Sequence, residues 1–161
     1  MKIKFICILL FVLSIYGLVK AQFKVDRYSI NPKIGVYFGE YEGLIAGGEF
    51  NVTRKKYIYS FDYFRTFQIM SNERFNQMDL MIGKYIGEEI FRFQFQGGLG
   101  TFSGVNKSNE KFFTIGIPLK LGFKLIPAKF FSIGVDLQAH LNSKQSICMA
   151  MFSIEFGKLR N

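Results

Sequence analysis

Phe113-Thr-Ile-Gly-Ile-Pro-Leu-Lys-Leu-Gly-Phe-Lys-Leu125 places a large apolar residue at every odd position and a small, polar or charged one at every even position. Phe131–Leu141 repeats the scheme, with Phe131, Ile133, Val135, Leu137, Ala139 and Leu141 against Ser132, Gly134, Asp136, Gln138 and His140. Phe91–Leu99 does the same, with Phe91, Phe93, Phe95 and Leu99 separated by Arg92, Gln94, Gln96 and Gly98. A period of two is the signature of a β-strand, whose successive side chains leave on opposite faces. Volume decides which face turns inward. A small closed barrel has an interior just wide enough for side chains to fill. Dozens of Phe, Tyr, Leu and Ile side chains do not fit there, whereas Gly, Ser, Thr, Gln and a few charges do. The apolar face therefore points out, and a continuous apolar exterior calls for lipid.

Five more segments complete the count: Ile34–Glu40, Gly43–Thr53, Tyr57–Arg65, Phe75–Tyr85 and Ile147–Gly157. Eight strands, most of 9–11 residues, match the even number and the length that a tilted membrane strand needs. The connections at Thr53–Lys56, Gly87–Glu89 and Ile126–Lys129 are short, whereas Thr66–Arg74 and Thr101–Lys111 are longer. Such alternation fits short periplasmic turns and longer outer loops, with both termini on the periplasmic side. The expected fold is an all-β, closed, antiparallel, eight-stranded transmembrane barrel. Pro118, inside a strand, predicts a bulge or a missing ladder bond.

The N-terminus reads separately. Met1–Lys4 is a basic start, Phe5–Val19 an apolar run, and Val19-Lys-Ala21 a small-residue cleavage site, which together predict a Sec signal peptide over residues 1–21 and a barrel domain over 22–161. Removing it takes the formal net charge from +9 to +6, with 18 basic residues left against 12 acidic ones. An exported chain whose positive charge is scattered over turns is a poor nucleic-acid binder. Cys7 leaves with the signal, so Cys148 is alone, expected on the outward face as a small apolar residue.

The run Ile115–Phe123, the short turn after it and Phe131–Leu137 resemble the small outer-membrane β-barrel domains of Gram-negative bacteria, broadly of the OmpA/OmpX type. The resemblance implies an outer-membrane location and contact with the barrel-insertion machinery. Barrels of this kind usually end on an aromatic residue, whereas here Phe156 is followed by Gly-Lys-Leu-Arg-Asn161.

With the polar face inward, the lumen should hold Glu49, Asp62, Asp79, Arg92, Lys120, Lys124, Asp136 and Glu155 as one network of ion pairs and hydrogen bonds, because unpaired buried charge is costly. Arg92, with its fork of donors, is the expected hub. Tyr57, Tyr59, Tyr63, Tyr85, Phe112 and Phe130, near strand ends, are expected to form aromatic girdles at the lipid boundary. Arg65, Arg74, Lys107, Lys111 and Lys144 lie toward the outer side, where lipopolysaccharide phosphates would be partners.

His140 is the only histidine. Ala139-His-Leu-Asn-Ser143 is loosely similar to the His-x-Ser-Asn element of outer-membrane lipid A deacylases, but Asn142 stands where that element has its serine. Glu155 falls about 20 Å away by strand register. One His and one mature Cys make no metal site, and no cofactor is called for. The reading that results is a non-enzymatic structural or envelope-interaction barrel. The alternatives are a lipid A-modifying enzyme of deacylase type, a narrow gated pore, and a soluble lipocalin-like carrier. The last would need the apolar face inside.

Overall fold

The computed structural model describes residues 25–39, 42–67, 74–87, 90–105 and 110–160. The expected signal peptide, residues 68–73 of the Thr66–Arg74 connection and residues 106–109 of the Thr101–Lys111 connection lie outside the described residues. Eight strands follow in order: β1 (Arg27–Gly39), β2 (Gly43–Arg54), β3 (Tyr57–Phe67), β4 (Arg74–Ile86), β5 (Phe91–Val105), β6 (Lys111–Ala128), β7 (Phe131–Asn142) and β8 (Ile147–Lys158). Each pairs antiparallel with the next, and β8 returns to β1, so the sheet closes with no free edge.

Side chains divide by strand parity as the alternation requires. Ile34, Val36, Leu80, Phe93, Phe95, Ile115, Leu121 and Leu137 all stand exposed on the outer wall. Ser29, Asn51, Ser60, Gln96 and Ser132 are buried in the lumen. A barrel with an apolar exterior and a polar lumen is the inverse of a soluble carrier, and lipid is the solvent that suits such an exterior. Cys148 is exposed on this outer wall.

All three prolines sit at irregularities of the ladder, because proline has no N–H to donate. β5–β6 pairing runs to Gly97–Leu119 and resumes at Gly100–Gly116 in the same register, with Pro118 in the gap. β1–β8 pairing likewise skips from Ile30–Phe156 to Lys33–Ser153 around Pro32. The register shift of β6–β7 falls between Leu125 and Ala128, at Pro127. Pro118 thus brings a missing stretch of ladder without a bulge.

β1 begins at Arg27, well before the expected Ile34, and β5 and β6 run past Leu99 and Leu125. The early start of β1 matters most, because it carries Asn31 and Lys33 into the lumen.

Candidate functional site: the filled lumen

Three layers fill the barrel. At the end where β1–β2, β3–β4, β5–β6 and β7–β8 connect, Tyr37, Ile45, Phe64, Phe75, Phe102, Ile147, Met149 and Met151 form a buried apolar cluster, with Phe112 packed against it. Phe75 stacks on Phe102 at 5.3 Å and meets Tyr37 edge-on at 6.2 Å, both favourable aromatic geometries. The sequence reading, which filled the lumen with polar groups alone, requires correction here. Inward positions near this rim are taken by large apolar side chains that pack together across the lumen.

The middle layer is ionic. Glu49 bridges Lys33 and Lys120, and Asp136 bridges Lys33 at 2.8 Å and Lys124 at 2.8 Å. Lys120 also reaches Asp62 at 3.2 Å. The result is an unbroken alternation, Asp62–Lys120–Glu49–Lys33–Asp136–Lys124, drawn from β3, β6, β2, β1 and β7 and extended to β8 by a hydrogen bond from Lys124 to Ser153. Three cations and three anions cancel, and every one of these side chains is withdrawn from solvent. Such a set is tolerable in a low-dielectric interior only as a whole, since removing one member leaves uncompensated buried charge. Asn31 supports it by donating to Glu49 at 2.9 Å, and Gln94 by donating to Asp136 at 3.4 Å.

Asp79 stands slightly apart. It is the cross-strand partner of Asp62. Gln77 and Gln138 donate to its Oδ2, the latter at 2.7 Å. Its Oδ1 lies 3.5 Å from His140 Nε2, long for a hydrogen bond. The other side of the imidazole is fixed by Asn142. Asn142 Oδ1 accepts from the Lys144 and Gln145 backbone N–H groups at 2.9 and 2.8 Å, which orients the amide. Its NH2 then donates to the Gln145 carbonyl at 2.6 Å and faces His140 Nδ1 at 3.1 Å. Nδ1 must therefore accept, and by this assignment the ring proton sits on Nε2, toward Asp79. Gly100 and Gly116 make room for the ring. A Cβ on Gly100 would come 3.0 Å from His140 Nε2, and one on Gly116 would run into Cε1.

The third layer lies at the end where β1 begins and β8 finishes. Glu155 accepts from Ser29 and, at 2.9 Å, from Ser132. Arg92 Nη2 donates to the Leu159 carbonyl at 2.8 Å, and its guanidinium lies over the Tyr85 ring at 4.7 Å. Leu159 itself is buried, and its N–H donates to the Lys129 carbonyl.

All eight expected lumen charges are thus buried, but not as one network around Arg92. Arg92 makes no ion pair among the described residues. It is the second residue of β5 and sits at the mouth. Lysines take the central role; Gln77, Gln138 and His140 follow the polar face that the alternation turns inward, whereas Asn31 and Lys33 precede the expected start of the first strand and join the lumen unforeseen. Of the girdle candidates, Tyr57, Tyr59, Tyr63 and Phe130 are exposed on the outside. Tyr85 and Phe112 are not. Tyr85 turns into the mouth, where its hydroxyl donates to the Lys55 carbonyl at 3.0 Å, and Phe112 packs on the inner cluster, its ring 5.6 Å from Phe102.

Comparison with solved structures falls on one architecture. The N-terminal β-barrel domain of Pseudomonas aeruginosa OprF superposes with a TM-score of 0.71 at 15% identity, covering 83% of this chain and 98% of that one. The chain has the fold of small outer-membrane β-barrels. Neisserial surface protein A follows at TM-score 0.60 and 9% identity, covering 83% and 97%. Ail, the attachment invasion locus protein of Yersinia pestis, matches at TM-score 0.60 and 13% identity, covering 81% and 97%. Ail also has a structure in complex with the heparin analogue sucrose octasulfate. No protein-family model and no curated protein sequence matches the chain.

Proposed function

We propose that this protein is exported by its N-terminal signal and resides in the outer membrane as a non-enzymatic barrel with a structural or envelope-interaction role. The observation that carries this reading is the filled lumen, with apolar packing at one end, a neutral six-charge chain in the middle and Arg92, Glu155 and Leu159 at the other. Among the described residues, a lumen packed in this way argues against a path for ions and against a pocket for a carried ligand. The histidine speaks against a deacylase. A catalytic imidazole turns one nitrogen to an acid and the other to a serine, whereas His140 gives its second nitrogen to Asn142. Ser143 bonds Thr114 instead, at 3.3 Å.

The partners proposed are outer-membrane lipid, the insertion machinery and lipopolysaccharide. Arg74, Val105 and Lys111 are register partners across β4, β5 and β6, so two basic side chains share one level of the outer rim, with Arg65 and Lys144 exposed at the same end. Lys107 lies outside the described residues. That Ail accommodates a heparin analogue supports an anionic envelope partner for such a rim. Heat-modifiability of the outer-membrane fraction tests the reading. A mobility difference between boiled and unboiled samples is expected, together with no steady conductance in planar bilayers. Recovery as a soluble periplasmic protein, or stable conducting steps, would replace it.

A further inference from the structure

The outer wall is not uniformly convex. Near the rim with the short turns a groove of about 820 Å³ runs across β4–β7, walled by Phe93, Phe95, Leu121, Phe123 and Leu137. Two lysines, Lys56 and Lys84, line its β4 end. Lys84 is unusual for its position. It belongs to the outward row of β4, between Ile82 and Ile86, both exposed on the apolar wall. Its ammonium lies over the Tyr57 ring at 4.8 Å, the ring of its own cross-strand partner. Lys56 comes from the β2–β3 turn, held beside β4 by the bond from Tyr85 N to its carbonyl at 3.2 Å. Among the described residues neither ammonium is in an ion pair. Glu88 and Glu89 of the adjoining connection lie outside those residues.

A lysine in an apolar row lays its stem along the wall and turns its charge toward the interface. Two such charges at the end of an apolar trough complement one kind of molecule, with an acyl chain for the trough and an anion at its head. We propose that this groove is a specific site for one anionic phospholipid of the leaflet on the turn side, an acyl chain along Phe95, Leu121 and Leu137 and the phosphate held between Lys56 and Lys84. The site rests on the membrane reading above and goes beyond it, since a merely apolar wall would not distinguish headgroups.

Native mass spectrometry tests it on the full chain, released from nanodiscs of equimolar phosphatidylglycerol and phosphatidylethanolamine. One retained phosphatidylglycerol per barrel is expected, in preference to phosphatidylethanolamine. K56Q and K84Q should each lower that preference about fivefold, the usual worth of one basic residue near an anionic membrane surface. K144Q, at the opposite rim, should leave it unchanged. Equal retention of the two lipids by the wild type, no change in K56Q/K84Q, or a dimer with no bound lipid would each overturn the proposal. Heat-modifiability of every variant keeps folding in view. A chain that never enters nanodiscs would instead refute the membrane reading.

Discussion

Glu49→Gln removes the carboxylate that joins Lys33 to Lys120. The six-charge chain then carries one excess positive charge in a dry interior. Breaking a buried ion set by deleting one member costs about 3–5 kcal/mol, and here the low end applies, because Lys33 keeps Asp136 and Lys120 keeps Asp62. Lys33→Gln should cost a similar amount, about 3 kcal/mol, through the opposite excess charge. The double variant is the informative one. It deletes two adjacent members and leaves two complete pairs, Asp62–Lys120 and Asp136–Lys124, so the charge chain is neutral again. Independent effects would sum to about 6 kcal/mol, whereas a coupling of about 2–3 kcal/mol, the upper part of the range for residues in one network, brings the double variant to about 3–4 kcal/mol. The double variant should therefore be at most about 1 kcal/mol less stable than either single one. Urea titration of the barrel in lipid vesicles, read by the fraction of unboiled protein that keeps folded mobility, measures all four members of the cycle. Gel mobility suits a chain that has no tryptophan to report on unfolding. Strict additivity would refute the coupled chain and mean that water, not the lysine–carboxylate alternation, compensates these charges.

Selective 15N labelling of histidine gives one imidazole signal pair, because His140 is alone. At neutral pH it should show a protonated Nε2 and a bare Nδ1, and Asn142→Ala should abolish that tautomer preference while the barrel still folds. Gly116→Val should destabilise by about 1–3 kcal/mol, since its side chain would collide with His140 and the Leu141 carbonyl; a neutral result in urea titration would mean the ring has room to move. Phe102→Ala, which empties the centre of the apolar cluster, should cost about 3–5 kcal/mol by the same assay. His140→Ala should leave lipid A acylation in whole cells unchanged, as measured by mass spectrometry of extracted lipid A.

The alternation carried the fold because every strand obeys it, and parity alone assigns each side chain to lipid or lumen. Position along a strand misleads where parity does not. Lying near strand ends makes Tyr85 and Phe112 girdle candidates, yet Tyr85 shares the inward parity of Met81 and Gly83, and Phe112 that of Thr114. Parity already held the answer. Lys33 was hidden for a different reason. Pro32 looks like a strand boundary, but Ile30, Ile34 and Val36 continue one outward row through it, and a proline whose missing N–H falls opposite a gap in the ladder does not end a strand. What parity does not encode is height. That Arg92 sits at the mouth and Lys120 at the centre depends on how far eight strands are staggered around the barrel, a property of closure rather than of any one strand. The same stagger brings Asp79 of β4 to His140 of β7, two residues with no local reason to meet. In a barrel, then, sequence states which residues share the lumen, and closure decides which of them touch. The central role therefore falls not to the residue best suited by its chemistry, Arg92, but to the two lysines that each sit between two carboxylates, Lys33 and Lys120.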